Sequence, residues 1–431
     1  MRIIQLTPGS GDNFYCENCL RDLALVRAFQ RAGHDITMVP MYLPINTGDE
    51  PFPQQGPIFF GGLNVYLQQK FSLFQKTPRW LDTVFDNRLL LKGLGKLSGM
   101  TTPTDLGETT VSMLAGCDGR QQKELLRMAD WLAELDPKPD VIMVSNILLG
   151  GLVETLKEKV GVPVVCLLQD EEGFLDTLPA PYAQQGWEWV RRHAQAFDGL
   201  ICVSDYYQQV MLDKLGVEAE KMPVIPMGID TEEFQPASEP PEVPTIGFLS
   251  KMCHDHGLDI LINTLHLLKR DNRLEHVRLR ITGGRGPGDT TFLKKMQNRI
   301  NTLKLTDSVE YVDHYRESGD RIRFLRSLSV MAVPMRKPPA YGLFALEACA
   351  CGVPFAAPDI GVFNELAAGT QAGVLYHPNN PVRLSETLRP LLTDPAVAGQ
   401  LGQKGRWAIE QAYSIDTTAK QLVDYFSELK H

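Results

Sequence analysis

The chain lacks an excess of positive charge. Its 43 lysines and arginines face 52 aspartates and glutamates, which gives a formal net charge of −9. General nucleic-acid binders need a basic surface that displaces counterions, so this class of protein is excluded. No run of about 18 apolar residues occurs, which argues against a membrane-spanning helix. Residues 1–7 run directly into a predicted strand, so we expect no signal peptide and a cytoplasmic location.

Two common nucleotide-binding fingerprints are also missing. No G-x-x-x-x-G-K-[ST] occurs, which excludes a P-loop NTPase. The loop after the first predicted strand contains Gly9 and Gly11, but the dinucleotide pattern G-x-G-x-x-G would need a third glycine at Phe14. A dehydrogenase is therefore disfavoured, although two glycines between a strand and a helix still let the backbone approach an anionic ligand.

Cysteine usage indicates no zinc site and no disulfide framework. The chain has eight cysteines in 431 residues, and Cys16 and Cys19 form a C-x-x-C without a second pair. We interpret these as reduced thiols and predict no bound metal.

Length and patterning predict two α/β domains. An apolar content of 43% and a charged content of 22% are typical of a globular protein, and 431 residues exceed what one core usually supports. Strand-like and helix-like segments alternate in two series, which predicts parallel sheets covered by helices. Residues 230–243 separate the series, are rich in proline and acid, and read as a linker. The first series runs over 2–7, 15–32, 36–39, 140–144, 149–160, 162–167, 182–197, 199–203, 205–215 and 223–226, and the second over 244–249, 258–269, 277–282, 291–303, 309–312, 320–327, 330–334 and 343–351.

Residues 342–354 have a sequence pattern that predicts a nucleotide-binding site. Gly342 opens a short predicted helix that begins at Leu343, and Glu347 lies in its second turn. Amides at the start of a helix attract anions, and a nearby carboxylate suits the two hydroxyls of a ribose. The pattern predicts a pocket for a nucleoside diphosphate attached to another group.

This segment resembles the nucleotide-sugar motif of the retaining glycosyltransferases of family 4, the group 1 transferases with a GT-B fold. Their motif is Glu, seven residues, Glu; here Glu347 matches the second Glu and Pro339 occupies the first position. The resemblance implies two Rossmann-like doubly wound domains that face a central cleft. It predicts an acceptor-side domain over 1–228, a linker over 229–243, a nucleotide-sugar domain over 244–411, and a helix within 412–431 that returns to the first domain.

Further segments resemble the donor-binding residues of the family. Lys251 stands where the family has an Arg, and His256 where it has a Lys, both of which grip the diphosphate. We hypothesise that protonated His256 supports departure of the diphosphate. The donor-binding set that the resemblance predicts comprises Gly9, Gly11, Lys251, His256, Gly283, His314, Gly342, Leu343 and Glu347.

The acceptor side is predicted after the strand at 164–168. The sequence there is Gln169, Asp170, Glu171 and Glu172, which resembles the Gln-Gly-Glu-Asp loop of a bacterial subgroup of the family. Glu171 matches the Glu of that loop and is our candidate catalytic residue together with Lys251 and His256. Asp170 and Glu172 are rivals for the same role, which is to orient or deprotonate an acceptor hydroxyl.

Residues 66–100 depart from the alternation, because aromatic and aliphatic residues are interleaved with six cations. One interpretation is an amphipathic insertion that contacts a membrane surface or a lipid-linked acceptor. The other is a pair of helices that pack on the first domain with their lysines in water.

The resemblance implies a metal-independent, retaining glycosyltransferase that uses a nucleoside diphosphate sugar and needs no cofactor. Its acceptor would be a glycan, a lipid-linked glycan or a small molecule. The alternative is a non-catalytic GT-B protein that binds nucleotide sugar or glycan as a partner subunit, since Pro339, Gln169 and His256 depart from the common family residues. A GT-B sugar epimerase fits less well, because the interdomain signature and the glycine-rich turn are those of family 4.

Overall fold

The computed structural model describes residues 1–8, 17–42, 57, 59, 103–285, 287–313 and 318–429. The chain divides into two compact units. Unit 1 comprises Met1–Val203, Tyr207–Ile225 and Ala419–His431, and unit 2 comprises Ser204–Tyr206 and Pro226–Thr418. The domain limits given above stay predictions, and the predicted insertion at 66–100 lies outside the described residues.

Unit 1 is built on a parallel sheet with the strand order β2-β1-β3-β4-β5. The central strands are buried along their whole length, which explains why they read as continuous apolar runs rather than alternating ones. Residues 223–226, predicted as a further strand, contribute a single bridge from Val224 to Cys202. The strands are β1 (Arg2–Thr7), β2 (Asp35–Pro40), β3 (Val141–Val144), β4 (Val164–Leu168) and β5 (Gly199–Cys202).

Helices cover this sheet and connect its parallel strands. Two of them, α2 and α3, lie in a stretch where the sequence analysis predicted no element. The described helices of unit 1 and its borders are α1 (Glu17–Arg31), α2 (Pro103–Leu114), α3 (Gln122–Ala133), α4 (Val153–Val160), α5 (Glu171–Leu175), α6 (Tyr182–Ala196) and α7 (Asp205–Leu215).

Unit 2 contains a second parallel sheet, with the order β11-β10-β9-β6-β7-β8. The strands are β6 (Thr245–Leu249), β7 (Arg278–Thr282), β8 (Val309–Tyr311), β9 (Val330–Ala332), β10 (Phe355–Pro358) and β11 (Gly373–Tyr376). The helices are α8 (Leu258–Leu268), α9 (Thr290–Thr302), α10 (Ser318–Arg326), α11 (Leu343–Ala350), α12 (Phe363–Thr370), α13 (Pro381–Thr393) and α14 (Pro395–Ala412). A last helix, α15 (Ile415–Glu428), begins at the end of unit 2 and belongs mostly to unit 1. Each of the eight predicted segments of the second series corresponds to a strand or helix whose ends lie within two residues of it, whereas β10, β11, α12, α13 and α14 lie beyond that series.

The two sheets confirm the predicted fold class, two doubly wound parallel-sheet units of Rossmann type. In each sheet the strand order reverses at one point, between β1 and β3 in unit 1 and between β6 and β9 in unit 2. In open α/β sheets, ligands bind at the carboxyl ends of the strands beside this reversal. The loops after β6 and β9 are therefore the first place to look for a site in unit 2.

The last helix, α15, completes the core of unit 1. Leu422 and Phe426 on one face of α15 are fully buried, and the Phe426 ring lies 6.5 Å from the ring of Phe29 on α1. A Cβ on Gly199 of β5 would lie 2.1 Å from the Tyr425 hydroxyl, so α15 approaches the sheet closely. No helix in the described ranges is long and apolar enough to cross a membrane.

Candidate functional site

The loop between β6 and α8 carries two of the predicted donor-binding residues. Ser250 follows β6 directly, and its Oγ lies 2.6 Å from Nδ1 of His256. The backbone amide of Met252 donates to the carbonyl of Gly284 at 2.8 Å, which ties this loop to the one after β7. The loop that carries Lys251 and His256 is thus held at the carboxyl edge of the sheet by one hydrogen bond within it and one to the loop after β7.

Lys251 presents its ammonium group towards solvent. The side chain is 48% exposed, and its Nζ lies 3.7 Å from Oδ2 of Asp289. An ion pair this long and this exposed is weak, so the cation stays available to an anionic ligand.

The pKa of His256 is lowered to about 4, which favours the neutral ring at pH 7. Burial is the main cause and the adjacent Lys251 contributes in the same direction, whereas Asp255 and Asp289 oppose the shift. The sequence-based hypothesis uses a protonated His256, and that form would have to arise when an anion binds beside the ring. When Ser250 donates to Nδ1, the neutral ring carries its proton on Nε2 and can still donate one hydrogen bond.

Gly283, also predicted to bind donor, allows the β6 and β7 loops to approach. Its φ is +127°, and a Cβ there would lie 2.0 Å from the carbonyl oxygen of Ser250. Only glycine fits a backbone this close in this conformation. The structure therefore brings Lys251, His256 and Gly283 together around Ser250.

The loop after β9 leads into the second part of the predicted donor site. Gly342 adopts a left-handed conformation with φ +78° and caps α11, which begins at Leu343. The first amides of a helix have no partners within the helix and attract anions. Gly342 and Leu343 therefore supply the helix start that the sequence predicted.

Ion pairs join the β9 loop to the β6 loop. Arg336 makes a bidentate contact with Asp259 on α8, at 2.9 and 2.7 Å. Lys337 reaches Asp255 at 2.8 Å, and the Arg336 amide donates to the Asp255 carbonyl at 2.8 Å. The predicted phosphate-binding residues and the turn before α11 are thus connected across the point where the strand order reverses.

Glu347 lies deeper than the other predicted donor residues. Its side chain is buried, and Oε1 lies 3.3 Å from Nε of Arg321 on α10, which is also buried. Oε2 has no hydrogen-bond partner in the described part of the chain. Burial raises the pKa of Glu347, while the Arg321 guanidinium opposes the rise. The predicted contact with a ribose stays a prediction, and Arg321 is a partner that the sequence analysis missed.

In unit 1, Gln169 is buried under the carboxyl ends of β1, β3 and β4. Its Oε1 accepts a hydrogen bond from Nη1 of Arg21, and its Nε2 donates to the carbonyl of Ser145 at 2.8 Å. Arg21 is itself paired with Asp22, whose Oδ2 accepts from Thr7 at 2.9 Å. Gln169 thus belongs to a packed polar network, and it anchors the loop that follows β4.

Glu171, the candidate catalytic carboxylate, is 1% exposed and fully engaged. Oε2 accepts from the Gln169 amide at 2.6 Å and lies 2.7 Å from the hydroxyl of Tyr207, while the Ile147 amide donates to Oε1 at 3.3 Å. Burial raises the pKa of Glu171 to about 7, although these hydrogen bonds oppose the rise. The side chain is a buried anchor rather than an accessible base.

The two rival carboxylates lie further out. Glu172 is half-buried, and its Oε2 lies 2.6 Å from the same Tyr207 hydroxyl. Asp170 is exposed and has a left-handed backbone with φ 59°. The sequence indicated the carboxylates but gave no signal for Tyr207, which lies on α7, 36 residues further along the chain.

The predicted site residues form two groups in the structure, and three of them lie outside the described residues. Lys251, His256, Gly283, Gly342 and Leu343 share the carboxyl edge of unit 2, with Glu347 buried below in α11. Gln169, Asp170, Glu171 and Glu172 form a second group in unit 1. Gly9, Gly11 and His314 lie outside the described residues.

Two family models match adjoining parts of the chain. The model described as glycosyl transferases group 1 matches residues 230–407. The model described as glycosyltransferase family 4 matches residues 118–233. Together they span the carboxyl part of unit 1 and nearly all of unit 2.

Curated relatives are similar over part or most of their length. A D-inositol 3-phosphate glycosyltransferase of Xylanimonas cellulosilytica is 25% identical over 91% of this chain and 97% of that protein. The protein of the same name from Kineococcus radiotolerans is 27% identical, but the match spans 49% of this chain and about half of that protein, 52%.

Solved structures share the fold over almost the entire chain. Sucrose-phosphate synthase from Thermosynechococcus elongatus has a TM-score of 0.71 at 17% identity, over 99% of this chain and 98% of that one. Anabaena Alr3699/HepE, solved in complex with UDP and glucose, has a TM-score of 0.68 at 16% identity, over 99% of both chains.

Proposed function

Because the chain belongs to the group 1 glycosyltransferases of family 4, we propose that it transfers a sugar from a nucleoside diphosphate sugar to an acceptor hydroxyl, with retention of configuration. The observation that carries this proposal is the grouping of Lys251, His256 and the start of α11 at the carboxyl edge of the unit 2 sheet. A cation, a ring N–H and helix amides are the groups that bind a diphosphate.

The leaving diphosphate gains negative charge as the bond to the sugar breaks. An ammonium group placed beside it stabilises that charge, and charge-assisted hydrogen bonds contribute roughly 1.5–3 kcal/mol each. Lys251 supplies the permanent charge, and His256 supplies a hydrogen bond that strengthens when the ring takes up a proton. The unpartnered Oε2 of Glu347 suits a ribose hydroxyl, because a buried carboxylate oxygen gains a donor on binding.

We also propose that transfer needs no metal ion, because Lys251 and the helix amides supply positive potential where a divalent cation would otherwise act. No group of side chains in the described ranges has the arrangement of a metal site. Full activity in a chelator would support this proposal. Retention would be read from the anomeric configuration of the product by NMR.

The acceptor is proposed to approach the loop after β4 in unit 1. The acceptor class, a glycan, a lipid-linked glycan or a small molecule, follows from the family resemblance alone. A cytoplasmic location and a peripheral membrane contact through residues 66–100 are sequence-based proposals of the same kind.

The first test is thermal unfolding with UDP, GDP and ADP and with their sugar conjugates. The solved relative with UDP and glucose makes UDP the first nucleotide to try. A ligand at a hundred times its dissociation constant adds about 2.7 kcal/mol to the free energy of unfolding. We expect one nucleotide to stabilise the protein selectively, and Lys251→Ala to lower its affinity tenfold or more, which leaves about 1.4 kcal/mol at the same concentration.

Lys404→Ala is the matched control, since Lys404 is an exposed lysine on α14 of the same unit. It should bind nucleotide like the wild type. Absence of stabilisation by every nucleotide would contradict the donor site. Nucleotide binding without transfer to any acceptor would favour the non-catalytic alternative, which the substitutions at Pro339, Gln169 and His256 suggest.

A further inference from the structure

Tyr207 lies between two of the acceptor-side carboxylates. Its hydroxyl oxygen is 2.7 Å from Oε2 of Glu171 and 2.6 Å from Oε2 of Glu172. The same oxygen accepts the backbone N–H of Glu171 at 2.9 Å. Tyr207 is fully buried, so the three groups meet in a place that water does not reach freely.

The two contacts between the Tyr207 hydroxyl and the carboxylate oxygens need one proton more than a neutral tyrosine supplies. A tyrosine hydroxyl has one proton to donate and two lone pairs. It can donate to one carboxylate at this distance, and the second carboxylate oxygen would then face a lone pair at hydrogen-bonding distance. Contacts of 2.6 and 2.7 Å are both short hydrogen bonds, so one carboxyl group must carry a proton of its own.

The buried position of Glu171 identifies it as the protonated group. Desolvation disfavours the charged form of this carboxyl group, and it outweighs the hydrogen bonds that the Gln169 and Ile147 amides donate to it. Arg21 is the cation on this side, and it is already paired with Asp22. Burial raises the pKa of Glu171 to about 7, with the Glu172 charge adding to the rise.

We propose that Glu171 is a protonated positioning residue, that it donates to Tyr207, and that Tyr207 donates to Glu172, so that Glu172 is the carboxylate that receives the acceptor hydroxyl. The three contacts described above for the Tyr207 oxygen are then satisfied, with Glu171 O–H and Glu171 N–H as donors and Glu172 as acceptor. The assignment of Glu172 to the acceptor rests on the proposed function, whereas the assignment of a proton to Glu171 does not.

The proposal has a direct spectroscopic test on the intact protein. A protonated carboxyl group has a carbonyl stretch that infrared spectroscopy resolves from a carboxylate, and labelling glutamate with carbon-13 identifies it. We expect such a band at about pH 5.5 and its loss by about pH 8.5, because the folded-state pKa of Glu171 is about 7. Glu171→Gln should remove the band, and Tyr207→Phe should shift it, because the hydrogen bond to Oη is lost.

Glu347→Gln is the control for this experiment, since Glu347 is another buried glutamate whose pKa burial raises. A band that survives in Glu171→Gln and disappears in Glu347→Gln would overturn the proposal. So would a wild-type spectrum in which no glutamate is protonated at the lower pH.

The sign of the pH dependence provides a second readout. The carboxyl titrates near 4.5 when unfolded and near 7 when folded, so the folded chain binds the extra proton between these values. The contribution of Glu171 to the free energy of unfolding should therefore fall as the pH rises through this window, whereas His256, with its lowered pKa, contributes in the opposite sense in both proteins. Glu171→Gln, which cannot lose a proton, should lack this contribution, so the difference in stability between the two proteins should change with pH between about 4.5 and 7. Parallel pH profiles for the two proteins would contradict a raised pKa.

Transfer assays test the role of Glu172 independently of the protonation of Glu171. Glu172→Ala should lower kcat/KM for the acceptor about 10- to 150-fold, the loss of one charge-assisted hydrogen bond, without altering nucleotide affinity. Asp170→Ala is the comparison, because Asp170 is the exposed carboxylate next in the loop. If Asp170→Ala has the large effect and Glu172→Ala does not, the acceptor assignment is wrong. If the protein transfers sugar to no acceptor, the proposed function fails, but the infrared spectrum still shows whether Glu171 is protonated.

Discussion

Two buried ion pairs lie in unlike surroundings. In unit 1, Asp22 accepts from Arg21 and Thr7, so both of its carboxylate oxygens are engaged. In unit 2, Glu347 has Arg321 at 3.3 Å but leaves Oε2 without a hydrogen bond among the described residues. A satisfied pair makes a core rigid, whereas an unsatisfied carboxylate costs free energy unless something else binds it. The second arrangement is typical of a binding site.

Removal of the Arg321 charge should expose that cost. Arg321→Met leaves Glu347 buried without its cation, and such changes destabilise by about 3–5 kcal/mol. The loss should be larger at pH 8 than at pH 5, because burial already raises the pKa of Glu347 and a protonated carboxyl needs no cation. Chemical denaturation at the two pH values measures it.

The double variant Arg321→Met with Glu347→Gln is the control. It removes the buried charge together with its partner and should recover most of the lost stability. Equal destabilisation of the single and double variants would show that Arg321 stabilises unit 2 by packing, including its contact 5.7 Å from the Phe234 ring, and not by charge.

The elements that carry the site were predictable to different degrees. The helix at α11 and the turn at Gly342 follow from a local pattern, because a glycine before an apolar helix and a glycine-proline exit leave few alternatives. Helices α2 and α3 were missed, because they lie next to the atypical stretch where the alternation ends. Tyr207 and Arg321 could not be predicted, since each meets its carboxylate through tertiary packing that one sequence does not reveal.

Substitution of Gly283 tests whether stability and nucleotide binding depend on the close approach of the loops after β6 and β7. Gly283→Ala places a Cβ 2.0 Å from the Ser250 carbonyl and strains a backbone with φ +127°. We expect unit 2 to lose roughly 1–3 kcal/mol, and nucleotide affinity to fall, because Ser250 positions His256. Calorimetric titration with the preferred nucleotide measures the second effect.

The control lies in the same loop. Gly288 has no atom within 4 Å of where a Cβ would be, so Gly288→Ala should bind nucleotide normally. Equal affinity in the two alanine variants would mean that the Ser250 contact does not matter for binding.

At the scale of the whole molecule, unit 1 is assembled from distant parts of the chain. Its sheet comes from the first half, but α15 contributes Leu422 and Phe426 from the last residues. The chain passes through unit 2 in between, where an isolated bridge joins Ile229 to Ser414. The alternation of strands and helices predicted two sheets, whereas the return of the last helix was expected from family resemblance and not from periodicity.

Phe426→Ala should therefore weaken unit 1 alone. Deletion of a large buried aromatic side chain costs about 3–5 kcal/mol. Hydrogen exchange of the β1 amides should become faster, because Phe29 on the neighbouring helix α1 loses its ring contact. The amides of β6 should keep their wild-type rates. Faster exchange in both units, or in neither, would contradict this division of the core.

The late position of α15 also has a consequence for biosynthesis. When the ribosome has made the whole sheet of unit 1, about 190 residues of unit 2 still precede the helix that covers it. At typical rates of synthesis this takes roughly 10–40 s, during which the apolar surface around Phe29 lacks its cover. The part of the protein that is translated first is thus the part whose core is completed last.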